Sequence, residues 1–434
     1  LKNPIHAKER IKYFIPNPES SYNIITDPEQ VTSSFSVKVP IENKEFQTQA
    51  DYFENFQNEI AYSIFYERMN DVSKEINSPF EFAYIYESSL GEENNNLELF
   101  VRPIDGKYLE SIERIKKEYD RIQNYGFSKI EFDNLIVGYK SSLEDMYNNK
   151  NSEETIDKLD YLMSFINSES VFISTDYYYN LSLSILDKIT LDDINFATKN
   201  WFNKNNRTII IQEPEVSVKN LPTDKEFISI LDSQFLNTKK LEIKDWTKIP
   251  LFNKEIKQGE VIKQIYYENI DVTELQLSNG VRVVIKSTNY EEDNIILYGQ
   301  SPGGLSVADN DIYESVSQIN SLFRDAGVGE FNSNNLSKKL LPTPVTARPV
   351  ISEYAQSFDG ESNKENFELM LQLLYLYFTD IHYEKEELER YKRDNLDDIQ
   401  KRLLNPDTVF FDHISKVRFN NHIRMQPITS EILR

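Results

Sequence analysis

Residues 272–305 read VTELQLSNGVRVVIKSTNYEEDNIILYGQSPGGL. Two alternating apolar runs, 273–277 and 281–286, flank Ser278-Asn279-Gly280. Asn-Gly is a strong short-range hairpin signal, because both residues tolerate positive φ. A third strand is expected over 294–298, after an acidic turn. Ser301-Pro302-Gly303-Gly304 then breaks the chain before an amphipathic helix that starts near Asp309. Hairpin, strand, glycine turn and helix in that order mark the start of a new folding unit.

Upstream the same grammar appears once already. Residues 30–39 alternate as a half-buried strand does, through Val31, Ser33, Phe35, Val37 and Val39. Tyr52, Phe53, Phe56, Ile60, Ile64, Phe65 and Met69 then fall on one helix face at spacings of three and four. Strands 80–88 and 96–101 follow, joined by a turn over 91–95. Three helices come next, marked by Leu109, Ile112, Ile115, Tyr119 and Ile122, by Phe132, Leu135, Ile136, Tyr139 and Leu143, and by Ile156, Leu159, Met163 and Ile166. Thr190, with Asp193 in the capping-box position, starts a last helix, and strand 208–211 closes the unit.

Between the units, 214–271 loses its periodicity and carries Pro214, Pro222 and Pro250. It reads as a linker with a short helix near 224–235 and an anchor at Trp246. So long a connector is uncommon inside one domain, so the boundary is placed there. Residues 1–25, with Pro4, Pro16 and Pro18, read as an extended connector.

The second unit repeats the first. Phe127-Ser-Lys-Ile-Glu131-Phe132 resembles Tyr383-Glu-Lys-Glu-Glu387-Leu388, with Glu131 and Glu387 standing 256 positions apart. At that offset Ile115, Tyr119 and Ile122 fall on Leu371, Tyr375 and Phe378, which points to a duplicated supersecondary unit. Ile189-Thr190-Leu-Asp-Asp-Ile194 resembles Ile428-Thr429-Ser-Glu-Ile-Leu433. A helix and a strand follow that point in the first unit, so the second is expected to be truncated, with an uncovered sheet edge.

At 434 residues the chain exceeds the roughly 250–300 at which one core stops growing, so two domains are expected. It carries 71 acidic against 48 basic residues, a formal charge of -23, and no basic stripe that would track phosphates. Nucleic acid is therefore not an expected partner. Such acidity suits solubility or the steering of basic peptides. With no cysteine, disulfides, thiolate nucleophiles and Cys-based metal sites are excluded. The most apolar stretch, 369–378, is interrupted by Gln372 and falls far short of the ~20 residues that span a bilayer. Leu1 shows no signal-peptide pattern, and any export signal is expected to lie outside the sequence.

The run LSNGVRVVIK, followed by SPGGLS, AGVGEF and ISEYAQSFDGES, resembles the third module of the pitrilysin/insulinase-type zinc peptidases. Thr26-Asp27-Pro28-Glu29, with the helices up to Trp201 and strand 208–211, resembles the second. The likeness is to bacterial, periplasmic-type members, which implies the periplasm. It implies an α+β fold of two repeated modules, each an antiparallel-rich sheet covered by helices. Residues 26–213 and 272–434 would be modules two and three, 1–25 a connector from a missing first module, 214–271 the linker, and the third module incomplete. In that family four modules enclose a peptide, the first holds zinc, and the last contributes to substrate binding and catalysis.

The family's zinc site is H-x-x-E-H on one helix, where two histidines four apart bind the metal and the glutamate acts as general base. This sequence has no such motif. Its histidines are His6, His382, His413 and His422, and a spacing of nine puts the last two on opposite faces of one helix. In the second unit Val316, Ile319 and Asn320 stand where ligands and base would be, on a helix expected to be continuous over 312–323 and capped near Gly327. No catalytic or metal-ligating residue is assigned, and substrate-binding residues stay open. Gly303-Gly304 and Gly327-Val-Gly329 lack the spacing of phosphate loops and read as turns. Glu291-Glu292-Asp293 and the acidic run 384–389 have the carboxylates of a calcium site or catalytic pair, but read as solvated surface. Tyr177-Tyr178-Tyr179 and the predicted strand at Ile351-Ser352-Glu353-Tyr354 are candidates for recognition, the second by strand addition, with packing the simpler reading.

The expectation is a chamber-forming fragment, inactive alone, of a zinc metalloendopeptidase acting on peptides or unfolded polypeptides. Its partners would be the missing first and fourth modules, with zinc held upstream and none in this chain. A catalytically dead scaffold subunit is the rival, and a free-standing acidic peptide-binding protein a third reading.

Overall fold

A computed structural model describes residues 19–430 apart from 29, 90–93, 105, 169, 203–205, 216–220 and 428. Its first unit runs β1 (Ser21–Asp27), β2 (Ser34–Glu42), α1 (Gln49–Ser73), β3 (Phe80–Ser89), β4 (Asn94–Pro103), α2 (Tyr108–Tyr125), α3 (Lys129–Asn149), α4 (Thr155–Ser168), α5 (Thr175–Lys188), α6 (Leu191–Ala197), β5 (Thr208–Pro214) and α7 (Asp224–Asp232). The strands form one sheet in the order β1-β5-β2-β4-β3, antiparallel except for the parallel pair β1–β5. Alternation buries Phe35, Val37 and Val39 of β2 against Phe56, Ile60, Ile64, Phe65 and Met69 of α1, the face read from sequence. Each such side chain contributes about 1.5–3 kcal/mol when fully removed from water. Capping boxes start α1 at Thr48, α3 at Ser128 and α6 at Thr190, the last with Asp193 as expected.

Three expectations change here. Residues 21–25, expected in a connector, belong to β1, because the edge of β5 offers a full run of backbone partners. Within the expected linker, α7 sends Phe227 and Leu231 into the first core, with Phe227 edge-on to Phe35 at 5.2 Å. The stripe of Ile156, Leu159, Met163 and Ile166 faces solvent on α4, whose aromatic anchor is local, Phe165 packing on Tyr161 and Phe172 at 4.9 and 5.3 Å.

The second unit runs β6 (Val261–Tyr267), β7 (Val272–Leu277), β8 (Arg282–Ile285), β9 (Ile295–Pro302), α8 (Tyr313–Ser317), α9 (Ile319–Asp325), β10 (Gly327–Val328), α10 (Ser333–Leu340), β11 (Thr346–Ile351), β12 (Ala355–Ser362), α11 (Phe367–Thr379), β13 (Ile381–His382), α12 (Lys385–Arg402) and α13 (Pro406–Arg418). The expected hairpin is β7–β8. Only Gly280 takes positive φ, at 88°, and Gly280 N–H donates to the Leu277 carbonyl, so the turn is a three-residue loop. Its third strand is β6, from the stretch read as linker, whereas β9 pairs with β12 in a separate sheet of order β9-β12-β11. The order and antiparallel sense match β2-β4-β3 of the first unit. The fold is thus α+β.

The helix expected over 312–323 is broken at Gln318 into α8 and α9. Gly327 is not a positive-φ cap; a Cβ there would lie 1.8 Å from the Phe331 carbonyl oxygen, and Gly329 takes the left-handed conformation instead, at φ 57°. A small core gathers Val328, Phe331, Met370, Leu373 and Leu376, with Leu251 buried in it and Trp246 5.6 Å from Phe331. Trp246 is therefore the anchor read from sequence. The units meet where Lys338 and Asn334 of α10 reach Asp71 of α1, and Arg390 and Arg393 of α12 donate to the carbonyls of Lys74 and Ile76.

Candidate functional site

At the end of β2 the chain turns away from the sheet to cap α1, and this departure opens a cleft of about 610 Å³. Val39, Ile41 and Leu97 of the sheet, with Tyr62 and Trp201, supply an apolar floor. Trp201 packs against Tyr62 at 5.7 Å and Phe65 at 5.4 Å. Glu42, Asp51, Glu54 and Glu87 stand against one cation, Lys44, whose ammonium is already 2.6 Å from Glu54.

Several of these groups hold one another in place. Tyr62 donates to Glu87 at 3.1 Å, and burial, then the charge of Glu87, raises its phenol above the ordinary value. Glu59, one helical turn before Tyr62, is likewise pushed up by its surroundings and by Glu87. Asp51 goes the other way, held low by hydrogen bonds from Thr48. Asn95 donates to Asn43 at 3.1 Å, while its own amide oxygen is buried without a partner. No histidine lines the cleft. It can bind an extended segment with apolar and basic side chains.

The positions singled out from sequence do not come together at one place. His382 lies in β13 and donates from Nδ1 to the Gly329 carbonyl at 2.9 Å. His413 is exposed on α13, His422 caps a turn beyond that helix, and His6 is outside the described residues. Val316 and Ile319 are half-buried, and Asn320 clips α9 to β11 through two 2.8 Å bonds with the Ile351 backbone. Residues 352–354 form the turn between β11 and β12, not a strand, with Tyr354 77% exposed. Tyr178 and Tyr179 pack on Tyr52 and Tyr147, while Tyr177 is exposed and accepts from Gln49. Glu387 is 5% exposed, not solvated, because it caps α12 at the Glu384 N–H and accepts from Ser333. Asp293 is also half-buried, in left-handed backbone at φ 56°. Of the repeat read at 428–433, residues 428 and 431–433 lie outside the described residues, as do the turn residues 91–93.

Sequence reading missed the cleft because its walls are drawn from segments more than 150 positions apart, Val39 to Trp201. The one local signal is the density of acids over 42–59. Among the described residues no group of three His, Cys, Asp or Glu side chains could hold a metal directly. The resemblance puts zinc in an upstream module, and no chemical step is routed through zinc in the described residues.

No family model matches the chain. The probable zinc protease PqqL of Haemophilus influenzae is 23% identical over 428 residues, covering 97% of this chain and 45% of that protein. Among solved structures, the ferredoxin protease FusC in complex with Arabidopsis ferredoxin superposes with a TM-score of 0.60 at 16% identity, over 99% of this chain and 49% of FusC. Pitrilysin superposes at 0.53 and 13% identity over 98% and 46%, and the periplasmic protease PqqL of Escherichia coli at 0.51 and 16% over 98% and 47%. A repeated sheet-and-helix unit that superposes on these proteases defines the class of fold: the chain has the fold of the pitrilysin/insulinase-type zinc peptidases. Within it the chain is similar to PqqL-type proteases, and it spans about half the length of the relatives it matches.

Proposed function

We propose that the chain is a non-catalytic, chamber-forming part of a zinc-dependent metalloendopeptidase that cuts peptides or unfolded polypeptides. The observation that carries this is coverage: nearly the whole chain aligns with under half of a zinc protease, and neither α1 nor α8–α9 offers the family's paired histidines. On this reading the first unit, from β1 through α7, and the second, from β6 onward, are the second and third of four modules. The first module holds zinc and the fourth completes the chamber. Among the described residues β9 is the edge of its sheet, at the place that β2 holds beside β5 in the first unit. A periplasmic setting follows the Escherichia coli relative. The cleft beside β2 forms chamber wall, and its acidic rim favours peptides with basic side chains.

The test uses the purified 434-residue chain, a quenched-fluorescence peptide, added zinc and a chelator. The chain alone is expected to leave the peptide intact in all conditions. Mixed with the remainder of its parent polypeptide, it is expected to restore chelator-sensitive cleavage. Chelator-sensitive cleavage by the chain alone would overturn the proposal, and an assembled but inert complex would make the parent a scaffold.

A further inference from the structure

A second cavity, of about 240 Å³, lies between the units, and its lining is mostly acidic, amide and hydroxyl side chains, with Pro344 the apolar exception. Asp145 and Asn149 of α3 face Asp293, Glu361 and Ser362 of the second unit. Ser362 is 1% exposed, yet its hydroxyl has no hydrogen-bond partner; neither has the buried amide oxygen of Asn149. Asp145 makes no hydrogen bond or ion pair with any described residue, and burial, then the charges of Asp293, Glu144 and Glu361, raises its carboxyl. The balancing cation is Lys364, 78% exposed and 3.8 Å from Asp293. Asn294 donates to Glu361 at 2.9 Å, which leaves that carboxylate with free lone pairs.

Water alone would satisfy the hydroxyl and the amide, but it would not offset three carboxylates. Carboxylate, amide and hydroxyl oxygens without sulfur or imidazole are the donor set of hard divalent cations. No three acidic groups converge to grip a bare ion. The cavity holds on the order of eight water volumes, which is room for an ion that keeps its own shell. We propose that Asp145, Asn149, Asp293, Glu361 and Ser362 bind a hydrated divalent cation of the magnesium type, which clasps the first unit to the second.

The chain, freed of metal by chelator and dialysed, is titrated with MgCl2 and separately with CaCl2 by calorimetry, in about 0.15 M KCl to screen diffuse charge. One saturable equivalent of Mg2+ is expected, with a higher melting temperature once bound. Asp145→Asn and Ser362→Ala are each expected to weaken binding about tenfold or more, as losses around an ion's outer shell do. Asp157→Asn on α4 is expected to change nothing. Circular dichroism of the metal-free variants tests folding, and Glu361→Gln, at an exposed position, replaces any variant that fails it. No saturable binding, or binding unchanged in the folded variants, overturns the proposal. Binding of Ca2+ alone keeps the site but overturns its magnesium character.

Discussion

Arg68 is 4% exposed, and its guanidinium grips Glu131 through two bonds of 2.7 and 2.8 Å and Glu118 through one of 2.9 Å. Glu131 also closes the capping box of α3, so one arginine ties α1, α2 and α3 together. Arg68→Ala leaves the half-buried Glu131 without its cation, while Glu118 keeps Arg121 and Arg114, and is expected to cost about 3 kcal/mol in urea unfolding. Its neighbour Glu67 behaves differently. Burial, then Asp71, raises its carboxyl above the ordinary 4.5, against the pull of Lys74 and Lys338. The folded chain therefore holds this proton more tightly than the unfolded chain, and stability falls as pH rises from 4.5 through the raised value. Glu67→Gln is expected to be more stable than the parent at pH 7, with the difference vanishing below pH 4.5, as thermal melts across that range would show. The sequence discloses which residues are absent, histidine pairs above all, because a motif on one helix is local. It does not disclose Arg68, whose partners lie 50 and 63 positions away.

At the scale of elements, α7 shows what periodicity can and cannot say. A short helix near 224–235 is legible, but not that it completes the first core, since a nine-residue helix has one face and no address. Phe227→Ala removes a side chain that is 0% exposed between Phe35 and Tyr22, and about 3–5 kcal/mol of lost stability is expected in denaturant titration. The α4 stripe errs the other way, because spacing reports that a face is apolar and not that anything covers it. The repeat is legible where chemistry marks it: Glu131 accepts from the Ser128 N–H, and Glu387 from the Glu384 N–H. One helix earlier the offset of 256 fails. It points to Leu371, Tyr375 and Phe378, which are exposed, whereas Met370, Leu373, Leu374 and Leu376 are buried. A slip of one residue turns a helix by about 100°, enough to exchange its faces.

Across the whole molecule, strand order was open to a reading by analogy between the halves, while the cleft and the inter-unit cavity were not, being assembled from distant segments. The parallel pairing of β1 with β5 has a mechanical consequence. Chain upstream enters at Ser21, chain downstream leaves at Pro214, and these are opposite ends of the paired ribbon. Tension drawn along the polypeptide therefore shears the ribbon lengthwise instead of peeling it open, and all seven paired positions resist at once. A pull transmitted from one flank to the other would be carried by this seam, and the interior of the first unit would be shielded from it.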